Sequence, residues 1–320
     1  MSGQVVGAVD VGATKTLVAV ARRPLVGWAQ DGRVVRMPTP PDPAALVAVL
    51  AETLAILARE AAGTLVAIGI GAPGPLDAAR GVILHSPNQG WRDVPLGPPL
   101  ADATGVPVVL DDDANAGALG EARFGAGRGA DPVAYLTISS GIGAGIVVGG
   151  RIVRGAHGAA GEVGHLVVDP DGPRCGCGRR GCVEAFAAGS GLERRARESW
   201  PVGVRRDGAP AVRTAADVFR AARTGDPAAR LLVADGVAAL GRGLAALVAT
   251  IDPERIAIGG SLGLAQRGYV SRAAREARRL TISPSGRPVD GRVVRAALRG
   301  GSVLAGAAVL ADGALLNDAE

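Results

Sequence analysis

The feature that most restricts the fold of this chain is an alternation. Short apolar runs rich in β-branched residues recur between Ala- and Leu-rich stretches of helical spacing, which predicts an α/β protein. Strands are expected at 5–9, 17–21, 66–70, 106–110, 133–138 and 255–258. Helices are expected at 43–61, at 227–250 with glycine interruptions, and at 302–311, with a tail that frays from Asp312. Residues 111–123 read as a strand end entering a helix, and a domain hinge is expected there. The segments 6–20 and 134–148 share a strand, glycine turn, strand plan that suggests an internal duplication.

Composition narrows the class. With 320 residues, 48% of them hydrophobic, the chain can bury a large core as one large or two ordinary domains. Its 49 glycines follow no collagen period. The net charge of +5 comes almost wholly from scattered arginines, Lys15 being the single lysine, and only 2% of residues are aromatic. Nucleic acid is therefore not an expected partner. The N-terminus lacks the pattern of a secretory signal, so the chain is expected in the cytosol. No membrane span is expected, because the best apolar run, 236–251, is broken by Arg242. All three cysteines fall between 175 and 182, which favours a metal over a disulfide.

Several motifs carry chemistry. The turn Asp10-Val11-Gly12-Ala13-Thr14-Lys15 offers a glycine for close phosphate approach, a hydroxyl, and an acid that could hold the hydrated Mg²⁺ accompanying ATP. A second small-residue turn, Ser139-Ser140-Gly141-Ile142-Gly143, follows Thr137 and Ile138 and could clasp the same nucleotide. Each could equally be a plain β-hairpin. Neither fits a P-loop or a dinucleotide fingerprint. A further strand ends in a glycine turn at 69–75.

The stretch 155–184 is the most specific. His165 precedes Cys175, Cys177 and Cys182, giving one imidazole and three thiolates, a closed tetrahedral set that suits structural Zn²⁺ and leaves no open position for activating water. Free thiols in a glycine-rich loop are the alternative. Glu162 and Glu184 flank the set and suit sugar hydroxyls, or are solvated surface acids. Asp111, Asp112 and Asp113 end a strand; one could deprotonate an attacking alcohol, or the group could cap a helix or bind a divalent ion.

Together these residues resemble the ROK family of bacterial sugar kinases and sugar-responsive repressors. The pattern G-x-x-G-x-A-G-E-x-G-H followed by C-x-C-G-x-x-G-C-x-E is met from Gly155 to Glu184, and D-x-G-x-T-K by Asp10, Gly12, Thr14 and Lys15. The second phosphate loop carries Ser140 where the family has threonine, keeping a hydroxyl. The resemblance implies a two-lobed actin-like ATPase (ribonuclease H-like) fold with a central cleft. Residues 1–115, completed by 302–320, would form one lobe, and 116–301 the other, carrying the zinc loop. It further implies zinc on His165, Cys175, Cys177 and Cys182; sugar contacts from Glu162, His165, Glu184, Pro73-Gly74 and Asn88; and adenosine near Gly259 and Gly260. Asp113 would be the base. The family's asparagine before it is Asp112 here, a departure that removes an amide donor from the sugar site and sets a second carboxylate beside the base.

The implied reaction is ATP-dependent phosphorylation of a hexose at its 6-hydroxyl, foremost glucose, with N-acetylmannosamine, N-acetylglucosamine or fructose as alternative acceptors. A catalytically silent sugar sensor is the alternative of another class. Because the first phosphate strand starts within ten residues of the N-terminus, a preceding DNA-binding domain is not expected, and by resemblance the chain is a homodimer or homotetramer.

Overall fold

In the computed structural model the described residues are 3–28, 33–86, 89–199, 214–283 and 286–317. In chain order the first elements are β1 Gly3–Val11, β2 Lys15–Arg22, β3 Val35–Pro38, α1 Pro43–Glu60, β4 Gly63–Ala72, β5 Leu76–Asp77, β6 Val82–Ser86, β7 Trp91–Pro95, α2 Gly97–Thr104, β8 Val108–Asp112 and α3 Asp113–Phe124. There follow β9 Val133–Ile138, β10 Ile142–Val148, β11 Arg151–Ile152, α4 Val183–Ala187, α5 Gly189–Ser199, α6 Ala215–Arg223 and α7 Pro227–Ile251. The chain closes with β12 Arg255–Gly259, α8 Ser261–Ala265, α9 Arg267–Leu280, α10 Val289–Arg292, β13 Val293–Arg295 and α11 Ser302–Asn317.

Two five-stranded sheets repeat one plan. The first has the order β3-β2-β1-β4-β8 and the second β11-β10-β9-β12-β13, so each places its third, second, first, fourth and fifth strands side by side. In the first sheet β2 runs antiparallel to β1, while β4 and β8 continue parallel to it. The repeated plan of the two turns thus extends to whole sheets. A small antiparallel sheet, β5-β6-β7, is added to the first.

The chain divides into two compact units. One comprises Met1–Tyr135, Gly145–Ala160 and Ala296–Glu320; the other comprises Leu136–Ala144 and Gly161–Arg295. Helix α3 and the segment 145–160 belong to the first unit.

Local sequence explains the main elements of the first unit. The side chain of Asp42 accepts hydrogen bonds from Ala44 and Ala45 N–H, Pro43 starts α1, and Leu46, Leu50, Leu54 and Leu57 line its buried face. Strand β4, between β1 and β8, reads GTLVAIGIGA, and its glycines are where α11 comes close: a Cβ on Gly69 would lie 1.8 Å from Ala307 O. Helix α3 meets α11 in the same way, since a Cβ on Gly306 would lie 1.7 Å from Ala116 O. Backbone against backbone at this distance admits no side chain. At the same junction Glu121, fully buried, accepts from Ala126, Ala297 and Leu298 N–H and from Ser302 Oγ.

Two expectations are corrected here. Helix α7 runs unbroken through its glycines, because Gly236, Gly241 and Gly243 sit where Tyr269, Glu276 and Val183 press against it. By length and composition α7 is the one described helix able to cross a membrane, despite Arg242, and 61% of its apolar window is buried within the protein. Nor does α11 fray at Asp312: it continues to Asn317, and Asp312 pairs with Arg23 at 2.6 Å.

Candidate active site and metal centre

In the first unit the acids gather at the carboxyl ends of parallel strands, where α/β sheets place their ligands. Sheet register sets Asp10 of β1 beside Gly71 of β4, and Gly71 beside Asp111 of β8. The turn after Asp10 is tight. Gly12 N–H donates to Lys15 O at 2.9 Å, and a Cβ on Gly12 would stand 2.8 Å from that oxygen. Thr39 holds the turn from outside, its hydroxyl donating to Gly12 O at 2.7 Å and its N–H to Thr14 O. Thr14 and Lys15 are left exposed at the tip.

The three consecutive aspartates divide their work. Asp111, 1% exposed, accepts from Arg154 Nε at 2.8 Å, from Asn115 Nδ2 at 2.9 Å and from Asp112 N–H at 2.8 Å, so it anchors the strand end. Asp112 caps α3, its Oδ1 accepting from Ala114 N–H at 2.9 Å. Its Oδ2 lies 3.0 Å from where a Cβ on Gly74 would sit, which brings Gly74 against it. An aspartate caps as well as the family's asparagine, so the departure keeps the local fold.

Asp113 is the first residue of α3, and its affinity for a proton is raised. Loss of hydration pushes its carboxyl well above the usual range, the charges of Asp112 and Asp10 push the same way, and the Ala114 N–H opposes them. Asp10 is itself raised to about 6 by burial, against the pull of Lys15. A carboxyl of raised proton affinity is suited to accept a proton from a bound hydroxyl.

In the second unit the turn between β9 and β10 is fixed from three sides. Gly189 N–H donates to Ser139 O at 2.8 Å, Ser190 donates to Ser140 O through both its N–H and its hydroxyl, and Ser139 Oγ meets Ser261 Oγ at 2.9 Å. Glu184 Oε2 accepts from Ile142 N–H at 3.0 Å and would lie 2.8 Å from a Cβ on Gly141, so a side chain here would displace the Glu184 carboxylate from that bond. Gly143 lies within β10. Gly259 ends β12, and Gly260, at φ +77° with Ile138 backbone 2.4 Å from its would-be Cβ, turns the chain into α8.

The same Glu184 reaches the cysteine loop, where its Oε1 accepts from Cys175 Sγ at 3.7 Å. Ligand atoms of His165, Cys175, Cys177 and Cys182 all lie within 4.8 Å of one another. His165 Nδ1 stands 3.7 Å from Cys175 Sγ, and Cys177 Sγ 3.7 Å from Cys182 Sγ. Tetrahedral coordination with Zn–S of about 2.3 Å puts sulfurs about 3.75 Å apart, so the set has the dimensions of such a site. The other ring nitrogen of His165 faces Glu162, with Nε2 4.0 Å from Oε2. Burial pushes the Cys175 thiol up to about 12. At Cys177 burial acts the same way but is outweighed by hydrogen bonds from the Arg179 backbone and the neighbouring thiols, which bring it down to about 7.

The ROK family model matches residues 6–314. The chain belongs to the ROK family. Among its relatives, a glucokinase of Streptomyces coelicolor is 34% identical over 316 residues, 95% of this chain and 96% of that one. A Thermotoga maritima glucokinase is 42% identical over 204 residues, 62% of this chain and 64% of that protein. The crystal structure of a ROK hexokinase from Thermus thermophilus superposes with a TM-score of 0.82 at 37% identity, covering 98% of this chain and all of the other. A ROK glucokinase from Streptomyces griseus, in complex with glucose and AMPPNP, gives 0.75 at 34%, covering 97% and 99%. The ROK chain therefore has the actin-like ATPase fold.

Within the first unit of this ROK protein the structure brings together Asp10, Gly74, Asp112 and Asp113; within the second it joins the metal set, Glu162, Glu184 and the β9–β10 turn. Asn88 lies outside the described residues. Sequence reasoning missed Arg154, Thr39 and Ser190, because each acts through a partner distant in the chain. It also left Asp111 without a role, and only its buried partners reveal one.

Proposed function

We propose that this ROK protein is an ATP-dependent hexose kinase that phosphorylates the 6-hydroxyl of glucose. The observation that carries the reading is Asp113, a carboxyl of raised pKa at the start of α3 beside Asp10 and Asp112. Asp113 takes the proton of the hydroxyl, the freed oxygen attacks the γ-phosphorus, and the bond to the β-phosphate oxygen breaks to release ADP. The Streptomyces griseus neighbour holds glucose and AMPPNP, which supports this pairing of acceptor and donor.

The roles of the remaining residues follow from their chemistry. Gly12, Thr14 and Lys15, and likewise Ser139, Ser140, Gly141 and Gly143, hold phosphate oxygens with backbone N–H groups, hydroxyls and one ammonium. Gly259 and Gly260 lie by the adenosine. Gly74, Asn88, Asp112, Glu162, His165 and Glu184 contact the sugar. When bound near Asp10, Mg²⁺ neutralises charge on the phosphates. Three thiols and an imidazole at these spacings fit Zn²⁺, which braces the loop carrying Glu162 and Glu184. The enzyme works in the cytosol, where ATP is available, as a homodimer or homotetramer.

Coupled measurement of ADP release across a hexose panel tests the reading. Turnover highest with glucose supports it. Preference for N-acetylmannosamine, N-acetylglucosamine or fructose would reassign the acceptor, and sugar binding without ADP release would make the protein a sensor.

A further inference from the structure

The second unit contains a cavity of about 340 Å³ between α9 and the strands β12 and β13. None of the residues given a catalytic or binding role above lines it. Its floor is apolar: Ile258 and Val270, both buried, with Val293. Arg267, Arg275 and Arg295 line it as well, and none of the three guanidinium groups has an ion-pair or hydrogen-bond partner among the described residues. That sets them apart from their neighbours, for Arg278, Arg279, Arg287 and Arg292 are each paired with an acid.

The cavity also holds one acid, Asp290. Its Oδ2 is 3.4 Å from Arg278 Nη1, while its Oδ1 is buried with no hydrogen-bond partner among the described residues. A buried carboxylate oxygen without a donor is costly, and a ligand hydroxyl or amine would satisfy it.

From this combination we infer that the cavity between α9 and β13 is a binding site for a small organic phosphomonoester. Three unpaired guanidiniums against one acid favour an anion, and the planar fork of arginine matches phosphate geometry. The volume is several times that of a bare phosphate, and the apolar floor calls for a ligand with a carbon skeleton. The orphan Asp290 oxygen calls for a donor on that skeleton. A sugar phosphate and a nucleoside monophosphate share these features. The site is also placed to influence the nucleotide turn, because Ile258 on its floor directly precedes Gly259 and Gly260.

The test is equilibrium dialysis of the whole protein with labelled glucose 6-phosphate, AMP or inorganic phosphate. Saturating glucose and a non-hydrolysable ATP analogue occupy the catalytic site throughout. One additional equivalent of an organic ester per chain is expected, and the ester that binds identifies the source. In Arg275→Glu/Arg295→Glu the affinity should fall about 100-fold or more, as expected for two charge-assisted contacts, with turnover at saturating substrates retained. Should the double variant fail to fold, Arg275→Ala is expected to weaken binding about 10-fold. No additional equivalent with any of the three probes overturns the assignment. So does affinity unchanged in the variants, or inorganic phosphate binding as tightly as the esters.

Discussion

Replacing Asp10 with asparagine should stabilise the protein, and by more at pH 8 than at pH 5. Burial raises this carboxyl from 3.8 to about 6, with Lys15 recovering only part of the cost. The folded state then keeps a proton that the unfolded chain has already lost. The contribution of Asp10 to folding is therefore full at low pH, erodes as pH rises from 3.8 towards 6, and stays at its minimum above that. The gap corresponds to a penalty of about 3 kcal/mol at pH 8 and about 1.5 kcal/mol at pH 5. Asparagine carries none of it, so its advantage should grow by about 1.5 kcal/mol between the two pH values. Removing the Asp10 charge also relieves Asp113, which acts in the same direction.

Urea unfolding in EDTA, followed by tryptophan fluorescence, measures this. Trp91 in the same unit is buried, with its indole N–H donating to Pro41 O at 2.8 Å, and reports on that unit. An advantage equal at both pH values, or a wild-type protein more stable at pH 8, would refute the claim that burial of this acid is held at the expense of stability. The same variant should lose activity with Mg²⁺ and ATP, since the group that destabilises the free protein is the one proposed to serve the phosphates.

Asp113→Asn should lower kcat about 10²–10⁴-fold with sugar binding retained, and the wild-type acid limb in kcat/KM should lie above the ordinary carboxylate range; turnover near wild type would reject Asp113 as the base. Cys177→Ser should reduce bound zinc and sugar affinity together, as seen by metal analysis and calorimetry, and an unchanged metal stoichiometry would contradict the site. Glu121→Gln puts an amide donor against backbone donors in a buried pocket, so unfolding free energy should drop by about 2–4 kcal/mol, read from urea midpoints. Asp112→Asn should leave the α3 cap and stability intact while altering turnover or sugar preference; no change in either would make the departure incidental.

The site was legible in the sequence wherever its residues are close in the chain. Cys175, Cys177 and Cys182 share one loop with His165 ten residues upstream of it, and Gly12, Thr14 and Lys15 share one turn, so spacing alone suggested their chemistry. Roles that depend on distant partners were not legible. Arg154 matters because it meets Asp111, 43 residues away, and Glu184 because it joins the thiol loop to the N–H of Ile142. Glycines misled at α7, where an interruption was expected. A glycine weakens a helix by only about 1 kcal/mol, and close packing of Tyr269, Glu276 and Val183 against those positions outweighs it. The short strands β3, β5, β11 and β13 were missed because two to four residues carry too little periodicity to read.

By itself the sequence determined the α/β class, the candidate metal-ligating set and the two glycine turns, because local spacing and side-chain chemistry already constrain these, while the acid at position 113 was singled out by the family resemblance alone. Only the tertiary structure decided which of three adjacent aspartates anchors, which caps and which is left with a raised pKa. Those differences come from burial and from partners brought in by other strands, and a proton's affinity for a carboxyl depends on that surrounding, not on the residues before and after it.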